Sequence, residues 1–115
     1  MHPQERLIRD CYAAFNAGQY ERIPAYFAQD VEWPNMLEGT TLRGPSAVVA
    51  YWIQLREVHR HTYDVKHFQL KPSGTVVVSL LRTVHSTGGE MISQGLIRHV
   101  FEFRNGLVSK MHVLL

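Results

Sequence analysis

One cysteine, Cys11, is all the sulfur available for crosslinking, so an internal disulfide is excluded. No two Lys or Arg stand side by side, and 12 Lys and Arg against 10 Asp and Glu leave a formal net charge of +2. A nucleic-acid or anionic-membrane surface needs a clustered basic patch, so neither partner is expected. Long apolar runs are missing as well; none approaches the roughly 20 residues of a membrane span. The opening MHPQERLIRD lacks the apolar core of a signal peptide, and the expectation is a cytoplasmic protein. No Gly-rich phosphate loop, dinucleotide fingerprint or Ser-His-Asp set in a nucleophile-elbow context occurs, so no cofactor is expected. Repeats and linker-like stretches are absent too. Residues 1–115 therefore read as one domain of ordinary size.

What is present is a 45% hydrophobic, 19% charged chain, enough to build a true core. Leu7, Ile8, Cys11, Tyr12 and Phe15 recur at helical spacing, which predicts a first helix from about Pro3 to Ala17, stopped by Gly18. Tyr20 to Ala28 suits a short second helix with Ile23, Tyr26 and Phe27 inward. "DVEWPN" alternates and predicts a short strand, ended by Pro34, with Val31, Trp33 and Asn35 on one side. "LEGTTLRG" reads as a loop. Pro45 opens a third helix whose stripe is Val48, Val49, Trp52 and Leu55 or Arg56.

Beyond His61 the period becomes two. Strands are predicted over Tyr63–Leu70, Thr75–His85, Met91–Phe103 and Leu107–Leu114, with turns at "PSG", "TGGE" and "RNG". Helices first and hairpin-linked strands after predict an α+β fold with a largely antiparallel sheet. Register decides which side chains meet the helices. A three-residue Arg104-Asn105-Gly106 loop puts His99, Phe101, Phe103, Leu107, Ser109, Met111 and Val113 on one face. A two-residue Asn105-Gly106 turn would give a more polar grouping, so the longer loop is preferred. A Gly88-Gly89 turn adds Val76, Val78, Leu80, Arg82 and Val84, with Met91, Ser93, Gly95 and Ile97.

Arg82 and His99 stand out on that apolar side. An unpaired buried charge costs several kcal/mol. Arg82 must therefore meet a carboxylate such as Glu38 or Glu90, reach solvent at a rim, or face a wet pocket as a ligand anchor. His99 is either a structural histidine or a group whose proton affinity a cavity tunes. Tyr12 raises the same choice: a phenol satisfied within the core, or one pointing into a hollow. Trp33, Trp52 and Met111 are core or pocket wall; flat aromatic walls suit a cyclic ligand. Asn35 either serves a turn or orients a ligand oxygen. His59 and His61 follow the third helix, where a cation suits the helix dipole. Their H-x-H spacing lacks a third ligand, so no metal site is expected. Cys11, on the buried stripe, is expected to be inert.

"YAAFNAGQYERIPAYFAQDVEW", a proline-opened helix and a sheet ending "HVFEFRNGLVSKMHV" together resemble the NTF2-like superfamily, in its SnoaL-like and ketosteroid-isomerase-like branch. The likeness spans essentially the whole chain. It implies a cone: a strongly curved, mixed but mainly antiparallel sheet wrapped around three helices, with an apolar pocket. It also implies a homodimer through the outer sheet face, where Arg98, Glu102, Lys110 and His112 are expected. In the steroid-isomerase motif, the helix-1 tyrosine that donates to the oxyanion falls on Tyr12. The general-base aspartate falls near Asn35, with Glu32 second. The second oxyanion donor falls on His99. Asparagine takes no proton at neutral pH, so double-bond isomerisation by that mechanism is not expected. The resemblance implies a binder of a small apolar or cyclic molecule, with Tyr12 and His99 as catalytic pair for an isomerase, lyase or hydrolase step. Trp33, Asn35, Trp52, Arg82 and Met111 would contact the substrate. The alternatives are a ligand carrier and an interaction module. Because the sequence closes at Leu115, straight after the last strand, an unusually open pocket mouth is expected.

Overall fold

Proline sets the start of both long helices in this computed structural model, which describes residues 2–114; Met1 and Leu115, and with Leu115 the reading of the mouth, lie outside the described residues. Helix α1 runs Pro3–Asn16, with His2 capping the Gln4 amide. Pro3 there gives up an N–H that would have no helical partner. The expected stripe is the one that packs: Ile8 and Tyr12 are buried, and Leu7, Cys11 and Phe15 lie against the core. Gly18 follows at φ 74°, where a side chain would be strained.

The second helix is shorter and tighter than its pattern suggests. Tyr20–Tyr26 forms a 3-10 helix, and Phe27 and Ala28 already belong to the first strand. Pro24 sits inside it and has no N–H for an i−4 bond, so an α-helix gains little there.

Strand β1 (Phe27–Asn35) continues through Pro34 rather than ending at it. It pairs antiparallel with β2 (Thr40–Arg43), which falls within the stretch expected to be loop. Pro34 is tolerated because β1's pairing with the strand on its other side is last seen at Glu32. Helix α2 (Pro45–Val58) follows. Then come β3 (Arg60–Leu70), β4 (Val76–His85), β5 (Met91–Arg104) and β6 (Leu107–Leu114). The order across the single sheet is β2-β1-β6-β5-β4-β3, and only β1 with β6 is parallel.

The β4–β5 register is the expected one, from Val76 opposite Phe101 to Val84 opposite Ser93. The β5–β6 turn is not. Arg104 faces Leu107, and Asn105 (φ 54°) and Gly106 (φ 78°) make a two-residue turn. Two positive φ values in succession are the mark of a type I′ turn, which Asn-Gly favours. A bulge at Ser109 then slips β6 by one residue, so that Phe101 faces Met111 and His99 faces Val113, which keeps Met111 and Val113 on the expected face. Val108, expected outside, becomes fully buried. The expected face holds at His99, Phe101, Met111 and Val113 but not at the turn end, where Val108 is buried in place of Leu107 and Ser109; the bulge reconciles the favoured turn with the rest of the favoured face.

The curved sheet closes over the helices, and its core holds Ile8, Ile23, Val31, Val48, Val76, Val78, Leu80 and Val108, all essentially inaccessible. This is the α+β, NTF2-like architecture. Among the described residues no helix is long and apolar enough to cross a membrane.

Candidate ligand-binding site

Between α1, α2 and the concave sheet lies a cavity of about 230 Å³. That is somewhat below the roughly 300 Å³ at which ordinary small-molecule pockets begin, so it suits a compact occupant. Trp33 from β1, Trp52 from α2 and Phe15 from α1 supply aromatic wall. Ile97, Phe101 and Met111 from the sheet supply the rest. Trp33 and Trp52 meet edge to face with centroids 5.4 Å apart, and Phe15 meets Trp52 the same way at 5.3 Å. Met36 and Leu37, in the β1–β2 connection, also line the cavity while more than half exposed, so they mark its mouth. The Met36 amide donates to the Tyr51 hydroxyl (3.3 Å), which ties that connection to α2.

The polar end is built from three strands and a helix. The Tyr12 hydroxyl lies 2.5 Å from Nδ1 of His99, and both residues are buried. Among the described residues the phenol has no other acceptor for its proton. Tyr12 therefore donates, Nδ1 accepts, and the imidazole hydrogen is assigned to Nε2. Burial and the nearby Arg82 charge push the His99 pKa down to about 3, so the ring is neutral at pH 7. Burial raises the Tyr12 pKa well above a free phenol's, so the donor keeps its proton. Among the described residues Nε2 has no hydrogen-bond partner and is not sealed off, which leaves its N–H open to the cavity.

Tyr63 stacks at a tilt against both members of this pair, with centroids 5.6 Å from Tyr12 and 5.2 Å from His99. Across the β3–β4 ladder Tyr63 faces Arg82. His61 lies two pairs further along the ladder, opposite Val84, with its Nδ1 buried and unpartnered. Burial, Arg82 and His59 lower the His61 pKa to about 4. Burial pushes the Tyr63 phenol up to about 12 despite Arg82.

The structure thus brings Tyr12, His99, Trp33, Trp52, Arg82 and Met111 onto one cavity. It leaves Asn35 out. The Asn35 carboxamide oxygen instead accepts from the Leu37 and Glu38 amides, 3.0 and 3.1 Å, and shapes the turn after β1. The Tyr12 hydroxyl reaches the cavity wall paired with Nδ1 of His99. His61 is not a helix-end charge but a cavity residue. Tyr51 and Tyr63 escaped the sequence reading. Tyr51 follows Val48 by three positions, so the helical stripe could have found it; Tyr63 became visible only once β3 and β4 were in register. Cys11 lines the cavity, and burial raises its thiol to about 12, as an inert cysteine requires. Among the described residues no group of three or more His, Cys, Asp or Glu is placed to hold a metal.

The two lowered histidine pKa values predict acid sensitivity. Between about pH 6.5 and the folded values, the unfolded chain binds protons that the folded chain refuses. Stability from these groups is therefore complete above about 6.5 and is lost as pH falls toward 3 to 4. For buried His99 the slope is at most about 1.4 kcal/mol per pH unit. Tm should drop between about pH 7 and 5, and the drop should shrink in His99→Phe. An unchanged drop would mean that other groups titrate.

A hollow cone with its polar groups at one end is the NTF2-like arrangement. The chain belongs to the SnoaL-like domain family, whose model matches residues 8–111. No curated protein matches the sequence. Among solved structures, an NTF2-like protein of unknown function from Burkholderia pseudomallei is similar at 22% identity and TM-score 0.86, over 100% of this chain and 92% of that one. TerC, co-crystallised with polyporic acid, is 23% identical with TM-score 0.86, over 99% and 92%. RV0760c from Mycobacterium tuberculosis, in complex with estradiol-17beta-hemisuccinate, is 18% identical with TM-score 0.85, over 100% and 95%.

Proposed function

We propose that this protein binds a compact, largely apolar cyclic molecule in the cone and grips one of its oxygens through the Nε2–H of His99. The observation that carries the reading is the Tyr12–His99 hydrogen bond at the cavity wall. It fixes the ring so that a neutral imidazole donates inward. Two similar folds that hold small organic molecules support the same reading. The lining contains no Asp or Glu, and a histidine with pKa about 3 is a poor base at neutral pH. Isomerase, lyase or hydrolase chemistry would use His99 to stabilise negative charge forming on oxygen, not to abstract a proton. Binding is the part the geometry supports best.

Trp33 and Trp52 in the wall provide the assay, because an aromatic occupant quenches or shifts their fluorescence. 2-Acetylnaphthalene should bind about 10-fold tighter than 2-ethylnaphthalene, which lacks the oxygen. His99→Phe should remove that difference. Binding of neither probe, or equal binding of both, would defeat the proposal.

A second reading concerns the convex face of the sheet. Leu96 is 78% exposed there, beside Leu81 and Arg98, and Leu114 pairs with Arg98. An exposed apolar strip at the sheet's centre favours a homodimer through this face. Sedimentation should give twice the monomer mass, and Leu96→Glu should halve it; a monomeric parent chain would sink this reading.

A further inference from the structure

Arg82 is the one guanidinium that the sheet aims into the cavity. It stands on the concave side of β4, between Tyr63 on β3 and Gly95 on β5. Its surroundings offer it nothing. The ion pairs among the described residues are Arg9–Glu5, Arg43–Glu32, Lys66–Asp64 and Arg104–Asp30, and Arg82 is in none of them. The carboxylates considered for it from sequence, Glu38 and Glu90, are both exposed and not on the cavity wall. No side-chain hydrogen bond to the guanidinium occurs among the described residues either.

The polar groups around it are neutral imidazoles and phenols, and none of them carries a negative charge to match it. Among the described residues His99 presents Nε2–H, Tyr63 presents a phenol without a hydrogen-bond partner, and no carboxylate lines the cavity. The positive charge is felt across the whole polar end, since it lowers the proton affinity of His61, Tyr63 and His99 alike. A half-buried cation with no anion beside it is a site lacking one component. Opposite Arg82, Gly95 leaves room: a Cβ built there would meet nothing within 4 Å.

We propose that Arg82 selects anionic ligands, so that the occupant of the cone is a compact cyclic acid whose carboxylate or enolate lies against the guanidinium fork. This rests on the binding reading above and names its ligand class. Geometry favours the planar anion. Two parallel N–H donors match two oxygens of a carboxylate, or the adjacent oxygens of a hydroxyquinone-type enolate. The ring system would lie between Trp33, Trp52 and Phe15. The acid end would replace water on Arg82, with Tyr63 and His99 within the same cluster. A neutral steroid-like or terpene-like molecule would leave the charge desolvated and unpaired, which costs binding free energy. Arg82 therefore discriminates by penalty against neutral ligands as well as by attraction to acids.

The test uses the full chain and two probes of one shape, 2-naphthoate and 2-naphthamide, followed by tryptophan fluorescence at pH 7.5. Naphthoate should bind at least about 10-fold tighter than the amide. Arg82→Gln should bring the ratio to within about twofold, chiefly by weakening naphthoate. Arg82→Lys keeps the charge and loses the fork, and should retain part of the preference. Equal affinities in the parent chain overturn the anion proposal while the cone remains a binding site. A preference that survives intact in Arg82→Gln overturns Arg82 as its source. Binding of neither probe overturns both. The parent-chain ratio needs no variant, so a poorly folded Arg82→Gln does not protect the idea.

Discussion

Trp52→Ala is expected to lower the unfolding free energy by about 3–5 kcal/mol. Trp52 is 5% exposed and touches the rings of Phe15, Tyr20, Phe27 and Trp33, with centroids between 5.3 and 6.1 Å. Removing it takes away the α2 side of an aromatic cluster that joins both helices to β1. Three of those neighbours, Phe15, Phe27 and Trp33, already border the 230 Å³ cavity and have no packing behind them to push them into the gap. The void simply enlarges. Denaturant titration should show the loss, and a bulkier probe such as pyrene-1-carboxylate should gain access that the parent chain denies. Ile53→Ala is the control: one position along the same helix but 52% exposed, it should cost within about 0.5 kcal/mol. Comparable losses at both positions would mean that α2 contributes through helix propensity, not through this wall.

Tyr12→Phe is expected to cost about 1–3 kcal/mol although it removes a single oxygen. The reason is the partner left behind. Nδ1 of His99 becomes a buried acceptor with no donor, in a place where burial already opposes protonation. The imidazole is then free to move its hydrogen to Nδ1, and the inward donor at Nε2 is lost with it. Nitrogen chemical shifts of His99 should report the Nε2–H form in the parent chain and a mixture in the variant. The double variant Tyr12→Phe/His99→Phe should be less destabilised than the sum of the two singles, since neither polar group is stranded. Strict additivity, or an Nδ1–H tautomer in the parent chain, would show that the phenol does not set the ring.

The sequence disclosed the site's ends better than its middle. Tyr12 and His99 are 87 positions apart, yet helical spacing and strand register put each on an inward face. Those are strong signals because a one-residue error would turn the whole strand around. What the pattern could not decide was local. Asn105-Gly106 and the apolar face demanded different registers, and only a bulge at Ser109 satisfies both. No residue type announces such a bulge. Thr40–Arg43 forms β2 although its residues are mostly exposed and carry little alternation, because β1 offers an edge to pair with. Asn35 was ambiguous because an asparagine suits a turn and a pocket equally; its two amide contacts resolve it toward the turn. Arg82 remained open from sequence because its possible partners lay in loops, whose course period and propensity do not fix.

The lone parallel contact, β1 against β6, carries a consequence for biogenesis. Phe27 and Val31 are made early, but the neighbour that covers them spans 107–114. At about 5–20 residues per second, a ribosome needs roughly 4 to 14 seconds to travel from Asn35 to Leu107. During that interval the edge of β1 that β6 will occupy has no partner strand, and holdase chaperones have time to engage the nascent chain.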